Sequence, residues 1–210
     1  MTLFDIIKVM KAPLRGWDAQ KIMSSRGYDM NRTPNSNSKK AAVMILLFQD
    51  SAGHWQTVYI KRPSKNPHDK HSGQISFPGG QREDADTDLV MTALRETEEE
   101  LGIPRADIEV ITSLSSIYVF VSDFNVLPVV GFLAAPPTFV IQESEVAYPI
   151  VYPLADLMQV DPAPRKDVTV QTGVILKDIP YYDLNGDTLW GATAMMTSEL
   201  LEMLRWAFQS

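Results

Sequence analysis

Cysteine is absent from the 210 residues of the chain, so disulfides, thiolate nucleophiles and zinc–thiolate sites are excluded. Long apolar runs are also missing, since no segment approaches the ~20 apolar residues that a membrane-spanning helix needs. The opening MTLFDIIKVMKAPLRGW has neither the apolar core nor the small-residue cleavage site of a secretion signal. These absences predict a cytoplasmic chain with no membrane partner.

Positive charge is scarce in this sequence. Lys and Arg number 19 against 26 Asp and Glu, which gives a formal net charge of −7. Nucleic-acid binding depends on neutralising phosphates with a basic surface, so we expect no nucleic-acid partner. An acidic protein can still act on a phosphorylated small molecule when a divalent cation bridges the two. With 45% hydrophobic and 21% charged residues, the composition is that of an ordinary globular protein.

The first quarter of the chain predicts a helix followed by a hairpin. Residues 2–12 carry apolar side chains on one helical face, whereas 13–40 lack periodicity and predict an extended connection. The continuous apolar run at 41–50 predicts a strand covered on both faces. Residues 55–62 predict the strand that returns from it.

Strand-like runs dominate the second half. Asn185-Gly186 predicts a two-residue hairpin turn, and the closing stretch MTSELLEMLRWAF predicts a helix capped by Thr197 or Ser198. With one central helix, these elements predict an α/β fold (an α+β mixed sheet with helices packed on it). We expect a single domain over 1–210, in which the first 40 residues supply a helix and an extension.

The central helix is predicted over residues 88–101. Apolar or small side chains recur on one face and form a core-facing stripe. The stripe consists of Val90, Leu94, Thr97 and Leu101. Gly102 is the residue type that ends helices in the left-handed conformation, and Pro104 prevents continuation.

Three glutamates occupy a neighbouring face of this helix. Glu96, Glu99 and Glu100 are spaced so that their carboxylates converge, and like charges so placed cost about 0.2–0.5 kcal/mol per pair. One interpretation is a solvated acidic face. The other is a site for Mg²⁺ or Mn²⁺, which bind clustered oxygen ligands. The glycines of the upstream FPGG segment (77–80) favour the metal site, because they let the backbone approach a ligand closely.

The segment GGQREDADTDLVMTALRETEEELGI resembles the signature of the Nudix hydrolases. The second half of that signature is matched by Arg95, Glu96, Glu99, Glu100, Gly102 and Ile103. Thr97 occupies an apolar slot of the pattern. Asp86 stands where the pattern has a glutamate, one residue further from Arg95. The branch similar to coenzyme A diphosphatases carries this extra residue.

Other segments resemble the same branch. They are Lys61-Arg62, His71, the GQISFPGG segment at 73–80 and the WGATA segment at 190–194. Asp69 departs from the branch motif, which has an arginine there. Lys65, Lys70 or Arg62 are the candidates to supply the missing positive charge.

The resemblance implies a Nudix-type α/β/α sandwich that uses Mg²⁺ or Mn²⁺. The ligand set that it implies consists of Glu96, Glu100, Glu99 and the carbonyl of Gly79 or Gly80. The substrate-binding residues that it implies are Arg62, His71 and Gly79. Arg95 would hold the glutamates in place.

The general base stays open between a loop and the helix. Glu145, in the polar break QESEV, is the first loop candidate and Glu143 is the second, with an exposed loop acid as the alternative interpretation of each. Glu99 is the candidate if the base lies on the helix. His71 is expected to hydrogen-bond rather than ligate metal, and Trp190 is expected in the core.

The function that the resemblance implies is metal-dependent cleavage of coenzyme A or its thioesters to 3′,5′-ADP and 4′-phosphopantetheine. The alternatives are hydrolysis of ADP-ribose or another nucleoside diphosphate derivative, and a catalytically silent nucleotide-sensing module. The intact set of helix charges argues against the sensor. The expected partner is a small nucleotide-diphosphate substrate, and a homodimer is kept as an oligomeric state to test.

Overall fold

Strand β1 (Lys39–Gln49) runs through the centre of the molecule, in a computed structural model that describes residues 2–25, 32–64, 71–160, 163–170 and 172–207. Its side chains alternate between two hydrophobic clusters: Ile45 and Leu47 enter one, and Met44 and Leu46 enter the other. All four are fully buried. The prediction of a strand covered on both faces is confirmed.

An eight-stranded mixed sheet is built around β1. Its other members are β2 (Trp55–Lys61), β3 (Ile75–Ser76), β4 (Gly79–Gln81), β5 (Ile108–Ser113), β6 (Ile117–Val119), β7 (Phe124–Leu133) and β8 (Tyr148–Pro153). Strand β1 pairs antiparallel with β2 and β4 and parallel with β7. Strand β2 also pairs with β3 and β8, and β7 with β5 and β6. The predicted β1–β2 hairpin is confirmed.

Helices cover both faces of this sheet. Helix α3 (Leu89–Leu101) buries Ala93, Leu94 and Leu101 against one face. Helices α1 (Leu3–Met10) and α5 (Gly191–Ala207) pack on the other face. The result is three layers, so the predicted α/β/α sandwich is confirmed. Among the helices that the structure describes, none combines the length and the hydrophobicity of a membrane-spanning segment.

The N-terminal segment is more structured than its sequence predicts. Helix α1 begins with a capping box, in which the Thr2 hydroxyl accepts from the Asp5 amide at 3.2 Å and the Asp5 carboxylate accepts from the Thr2 amide at 2.7 Å. A short helix α2 (Trp17–Gln20) and a 3₁₀ turn (Lys21–Met23) follow. The extended connection predicted for 13–40 is therefore wrong at these residues. Packing against α5, which local periodicity cannot reveal, stabilises them.

The C-terminal region adds two hairpins, a short helix and α5. The short elements are α4 (Leu154–Met158), β9 (Arg165–Thr169), β10 (Ile175–Pro180), β11 (Tyr182–Leu184) and β12 (Asp187–Leu189). Asn185 and Gly186 have φ of 57° and 100°, so the predicted turn between β11 and β12 is confirmed.

The predicted cap of the last helix is wrong, because α5 begins at Gly191. Thr197 and Ser198 lie inside the helix. The Thr197 hydroxyl donates to the Thr193 carbonyl at 2.9 Å, and the Ser198 hydroxyl donates to the Ala19 carbonyl at 2.8 Å. A hydroxyl can cap a helix or return to a carbonyl one turn earlier, and the sequence does not distinguish the two.

Candidate metal centre

Helix α3 fixes the directions of the acidic side chains. Asp88 caps its start by accepting from the Met91 amide at 2.9 Å. Gly102 ends it with φ of 67°, and a Cβ there would lie 2.6 Å from the Cβ of Val140. With Leu94, Thr97 and Leu101 buried as predicted, the glutamates turn toward the adjoining end of the sheet.

The double glycine lets the sheet backbone approach these glutamates. A Cβ on Gly80 would lie 2.5–2.7 Å from the carboxylate atoms of Glu96. A Cβ on Gly79 would overlap the carbonyl oxygen of Ala42. The Gly79 amide donates to Oε2 of Glu100 at 2.8 Å. A side chain at Gly80 would therefore displace the Glu96 carboxylate, and one at Gly79 would separate β4 from β1.

Three carboxylates converge at this point, and we call Glu96, Glu100 and Glu145 the carboxylate cluster. One oxygen from each lies within 4.8 Å of the others. Glu96 and Glu100 are 9% and 1% exposed, whereas Glu145 is exposed. Across the described ranges, Oε1 of Glu100 finds no hydrogen-bond partner. A buried carboxylate oxygen without a hydrogen bond stays charged only beside a cation, and otherwise the group is protonated.

The loop between β7 and β8 brings Glu145 to the helix. The Gln142 amide donates to the carbonyl of Glu100 at 3.1 Å, and the Glu145 amide donates to the carbonyl of Gln142 at 2.9 Å. Val146 is fully buried and fixes the other side of the turn. The contact between Gln142 and Glu100 joins residues more than 40 positions apart, so no local pattern predicts the role of Gln142.

Burial makes the charged form of this cluster costly. It raises the pKa of Glu100 to about 8, and the neighbouring Glu96 and Glu145 raise it further, while the Gly79 amide and Arg62 oppose the shift. Burial also raises the pKa of Glu96, against the effect of Arg95. Clustered oxygens with one buried, unpartnered atom fit a hard divalent cation such as Mg²⁺ or Mn²⁺.

Arg95 links the cluster to the rest of the signature. Its guanidinium donates to both oxygens of Asp86, at 3.0 and 3.1 Å. Nη1 lies 2.9 Å from Oε1 of Glu96 and donates to Oε2 of Glu99 at 2.9 Å. This pairing holds the pKa of Asp86 well below its usual range. Asp86, despite its shifted position, therefore anchors the arginine that orients the helix glutamates.

The remaining predicted residues lie around the cluster rather than in it. Glu99 has a side chain 55% exposed that pairs with Arg95. Nη1 of Arg62 is 3.9 Å from Oε1 of Glu100. Nδ1 of His71 lies 3.2 Å from Oε1 of Gln74.

Two further residues singled out by the sequence, Glu143 and Trp190, lie outside the cluster and the core. Glu143 is exposed on the same loop as Glu145 but outside the cluster. Trp190 is half-buried and borders a cavity, rather than lying in the core as expected. The charge substitutes Lys65 and Lys70, and Asp69 itself, lie outside the described residues.

Comparison with known proteins identifies the family. The model of the NUDIX domain family matches residues 38–168. The chain belongs to this family. It is 39% identical over 123 residues to Nudix hydrolase 15, mitochondrial, of Arabidopsis thaliana, covering 55% of this chain and 41% of that protein. It is 31% identical over 170 residues to an uncharacterized Nudix hydrolase NudL of Yersinia enterocolitica, covering 81% and 84%.

Coverage of the relatives varies. The Arabidopsis match, and a match to NudL of Pectobacterium atrosepticum at 44% identity, include 41% and 60% of those proteins, which is less than two thirds of their lengths. A solved mutT/nudix family protein from Listeria innocua is similar with a TM-score of 0.47 at 16% identity, over 85% of this chain and 94% of that one. The predicted membership of the Nudix hydrolase family is confirmed by the family match.

Proposed function

We propose that this Nudix family member is a hydrolase that cleaves the diphosphate bond of coenzyme A or its thioesters. The products would be 3′,5′-ADP and 4′-phosphopantetheine or its acyl derivative. The observation that carries the proposal is the carboxylate cluster, in which the buried Oε1 of Glu100 accepts no hydrogen bond from the described residues. Such a group is suited to a divalent cation, and diphosphates are substrates that such cations neutralise.

Glu96 and Glu100 would hold the ion, with the carbonyl of Gly80 beside them and Glu99 as a further ligand. When bound, Mg²⁺ or Mn²⁺ would neutralise diphosphate oxygens and lower the pKa of the attacking water. Arg95, fixed by Asp86, keeps the helix carboxylates oriented.

Glu145 would accept the proton of the attacking water. It is the exposed member of the cluster, so it can be reached by solvent and substrate while its backbone stays tied to α3 through Gln142. A general base must lie within reach of that water. Glu99 remains the alternative base, since its carboxylate is on the same helix and half-exposed.

Arg62, His71 and the Gly79 backbone would contact the substrate beside the cluster. The Arg62 guanidinium is near Oε1 of Glu100 at 3.9 Å, where it can meet a diphosphate oxygen. His71 is oriented by Gln74. These three groups form a small polar surface on a protein whose net charge is −7. A surface of this size suits a small-molecule substrate.

A second candidate substrate class is ADP-ribose or another nucleoside diphosphate derivative. It is favoured by Asp69, which stands where the coenzyme A branch carries an arginine. The deciding experiment incubates the protein with Mg²⁺ or Mn²⁺ and a substrate panel, and identifies the products by chromatography. We expect kcat/KM to be higher for coenzyme A than for ADP-ribose. Equal or faster turnover of dephospho-coenzyme A would show that the 3′-phosphate is not selected.

A further inference from the structure

A cavity lies on the other face of β2 from the carboxylate cluster. Side chains of a strand alternate between its faces: Tyr59 packs on the α5 side, and Val58 and Ile60 pack on the α3 side. Lys61 therefore projects to the α5 side. The cavity measures about 210 Å³, and we call it the hairpin cavity. Its lining includes Lys61, Ser72, Gln74, Val170, Thr188 and Trp190.

The hairpin cavity and the carboxylate cluster share one short segment of chain. The Arg62 amide donates to the carbonyl of Gln74 at 3.0 Å, and Lys61 and Gln74 both line the cavity. The guanidinium of Arg62, the next residue after Lys61, lies 3.9 Å from Glu100. Arg62 beside the carboxylate cluster and Lys61 in the cavity are thus consecutive residues at the end of β2.

The charges in the hairpin cavity compensate each other. Nζ of Lys61 donates to Oδ1 of Asp187 at 2.9 Å. The hydroxyl of Tyr148 also donates to Asp187, at 3.0 and 3.2 Å to its two oxygens. The lysine charge is therefore already paired, and a phosphate entering here would have to compete with Asp187.

The uncharged groups of the cavity offer hydrogen bonds and one aromatic surface. The Ser72 hydroxyl donates to the Pro63 carbonyl at 2.8 Å, so its lone pairs can accept from a ligand. The Thr188 hydroxyl accepts from Nζ of Lys166 at 2.6 Å, so its proton can be donated. The half-buried Trp190 provides an apolar side. At about 210 Å³, the space is smaller than pockets that enclose a whole drug-sized ligand, roughly 300–1,000 Å³.

We propose that the hairpin cavity binds the neutral arm of the diphosphate substrate, a chain that carries amides or hydroxyls, and leaves the phosphorylated nucleoside outside. The inference rests on the proposed diphosphate hydrolysis. It adds which part of the substrate the hairpin cavity binds. The cavity offers hydrogen-bonding groups and carries no net charge, so it suits a neutral chain with amides or hydroxyls. Its limited volume can enclose only one part of the substrate.

The first test fills the cavity from the β9–β10 turn. Val170→Trp places an indole in the lining, whereas Val174→Trp is the matched control. The Val170 amide donates to the carbonyl of Val174 at 3.0 Å, so both residues belong to one turn, but Val174 is 55% exposed and outside the lining. We expect Val170→Trp to raise KM for coenzyme A by ~10-fold with kcat within about twofold, the pattern of lost uniform binding. Val174→Trp should leave both constants unchanged.

The second test compares coenzyme A with a truncated substrate in which a methyl group replaces the arm beyond the diphosphate. The KM of the truncated substrate should be the same for the wild type and Val170→Trp. An equal rise in KM for both substrates, or no rise for coenzyme A, overturns the proposal. Thr188→Val, which removes a hydroxyl with little change of shape, provides a second variant if Val170→Trp does not fold. It should raise KM for coenzyme A only.

A binding measurement separates this proposal from the proposed function. Coenzyme A is titrated into metal-free protein while the indole N–H resonance of Trp190, assigned with Trp190→Phe, is followed by NMR. A shift that is absent with the truncated compound supports the cavity even if no compound is hydrolysed. Hydrolysis of coenzyme A without any shift of this resonance overturns the cavity and leaves the hydrolase proposal standing.

Discussion

Two glutamates are buried on opposite sides of the central sheet, and they differ in how their oxygens are satisfied. Glu199 on α5 is 0% exposed and accepts four hydrogen bonds from neutral donors: the Gly16 amide, the Gln20 side chain, and the amide and hydroxyl of Ser115. Glu100 on α3, similarly buried, accepts from the Gly79 amide, and its other oxygen has no hydrogen bond within the described ranges.

The difference separates a structural acid from a candidate functional one. Several amide and hydroxyl donors stabilise a buried carboxylate and are themselves satisfied by it. A charged carboxylate with an oxygen that accepts no hydrogen bond, close to two other acids, is costly, and a bound divalent cation would offset that cost. Burial alone does not distinguish the two glutamates, which are 0% and 1% exposed. The hydrogen bonds show that Glu199 holds the N-terminal segment on α5, whereas Glu100 is the residue that we propose to hold an ion.

The largest expected effect is the loss of activity in Glu100→Gln. The amide keeps the shape of the side chain but removes a charged oxygen ligand, so kcat at saturating Mg²⁺ should fall by ~10⁴-fold, about 5.5 kcal/mol in barrier height. Chelation of the metal in the wild type should have a comparable effect. Steady-state kinetics measures both.

The control for this change is Glu98→Gln on the same helix, where Glu98 pairs with Arg105 at the surface. It should leave kcat within about twofold, because exposed ion pairs contribute little. Thermal unfolding adds an independent reading: Mg²⁺ should raise the Tm of the wild type and not that of Glu100→Gln. A loss in kcat of less than tenfold would remove Glu100 from the metal site.

The next effect in size concerns Glu145, the exposed member of the cluster. A general base contributes ~10²–10⁴-fold, so Glu145→Gln should lower kcat by about that factor while metal affinity changes little. Calorimetric titration of Mg²⁺ measures the affinity. Glu143→Gln, on the same loop and also exposed, is the matched control and should be nearly silent.

The other outcomes of this experiment have distinct meanings. A fall in metal affinity for Glu145→Gln would make Glu145 a ligand rather than the base. Damage in Glu143→Gln with a silent Glu145→Gln would exchange their roles. Two silent variants would move the base to the helix, with Glu99→Gln as the variant to examine.

The comparison predicts a different response for Glu199. Glu199→Gln replaces an acceptor by an amide nitrogen that faces donors, and an unsatisfied buried donor costs about 1–3 kcal/mol. The free energy of unfolding in denaturant should fall by that amount, with kcat per folded molecule unchanged. Glu202→Gln is the control, since Glu202 pairs with Arg205 on a more exposed side of α5. A Glu199→Gln variant that kept its stability and lost activity would invert the assignment.

The sequence predicts one of these two regions far better than the other. The stripe on α3, its stop at Gly102 and the convergence of Glu96 with Glu100 follow from helical periodicity and local residue types, and the signature adds Arg95. The approach of Glu145 depends on the loop amide of Gln142, a long-range contact without a local pattern.

Around Glu199 the local signals are weaker still. Gly16 and Gln20 meet it across more than 175 positions of sequence, from a segment whose helix is only four residues long. A helix that short has no periodicity to detect, so the sequence predicts an extended connection at these residues. The same limitation affects the start of α5, where hydroxyls at Thr197 and Ser198 resemble a cap but bond to carbonyls within the fold.

The smallest effect tests whether the donors of Glu199 act separately. Ser115→Ala removes the hydroxyl that donates to Oε1 of Glu199 at 2.7 Å but leaves the other donors in place. The carboxylate stays satisfied, so the free energy of unfolding should fall by only about 0.5–1.5 kcal/mol, the net value of one hydrogen bond. Ser122→Ala is the matched control, because its half-buried hydroxyl makes a longer contact of 3.5 Å to the Val119 carbonyl. In the double variant with Glu199→Gln the two losses should not add, since residues that share a hydrogen bond are coupled. Strict additivity in denaturant unfolding would mean that the bond from Ser115 does not hold the β5–β6 connection to α5.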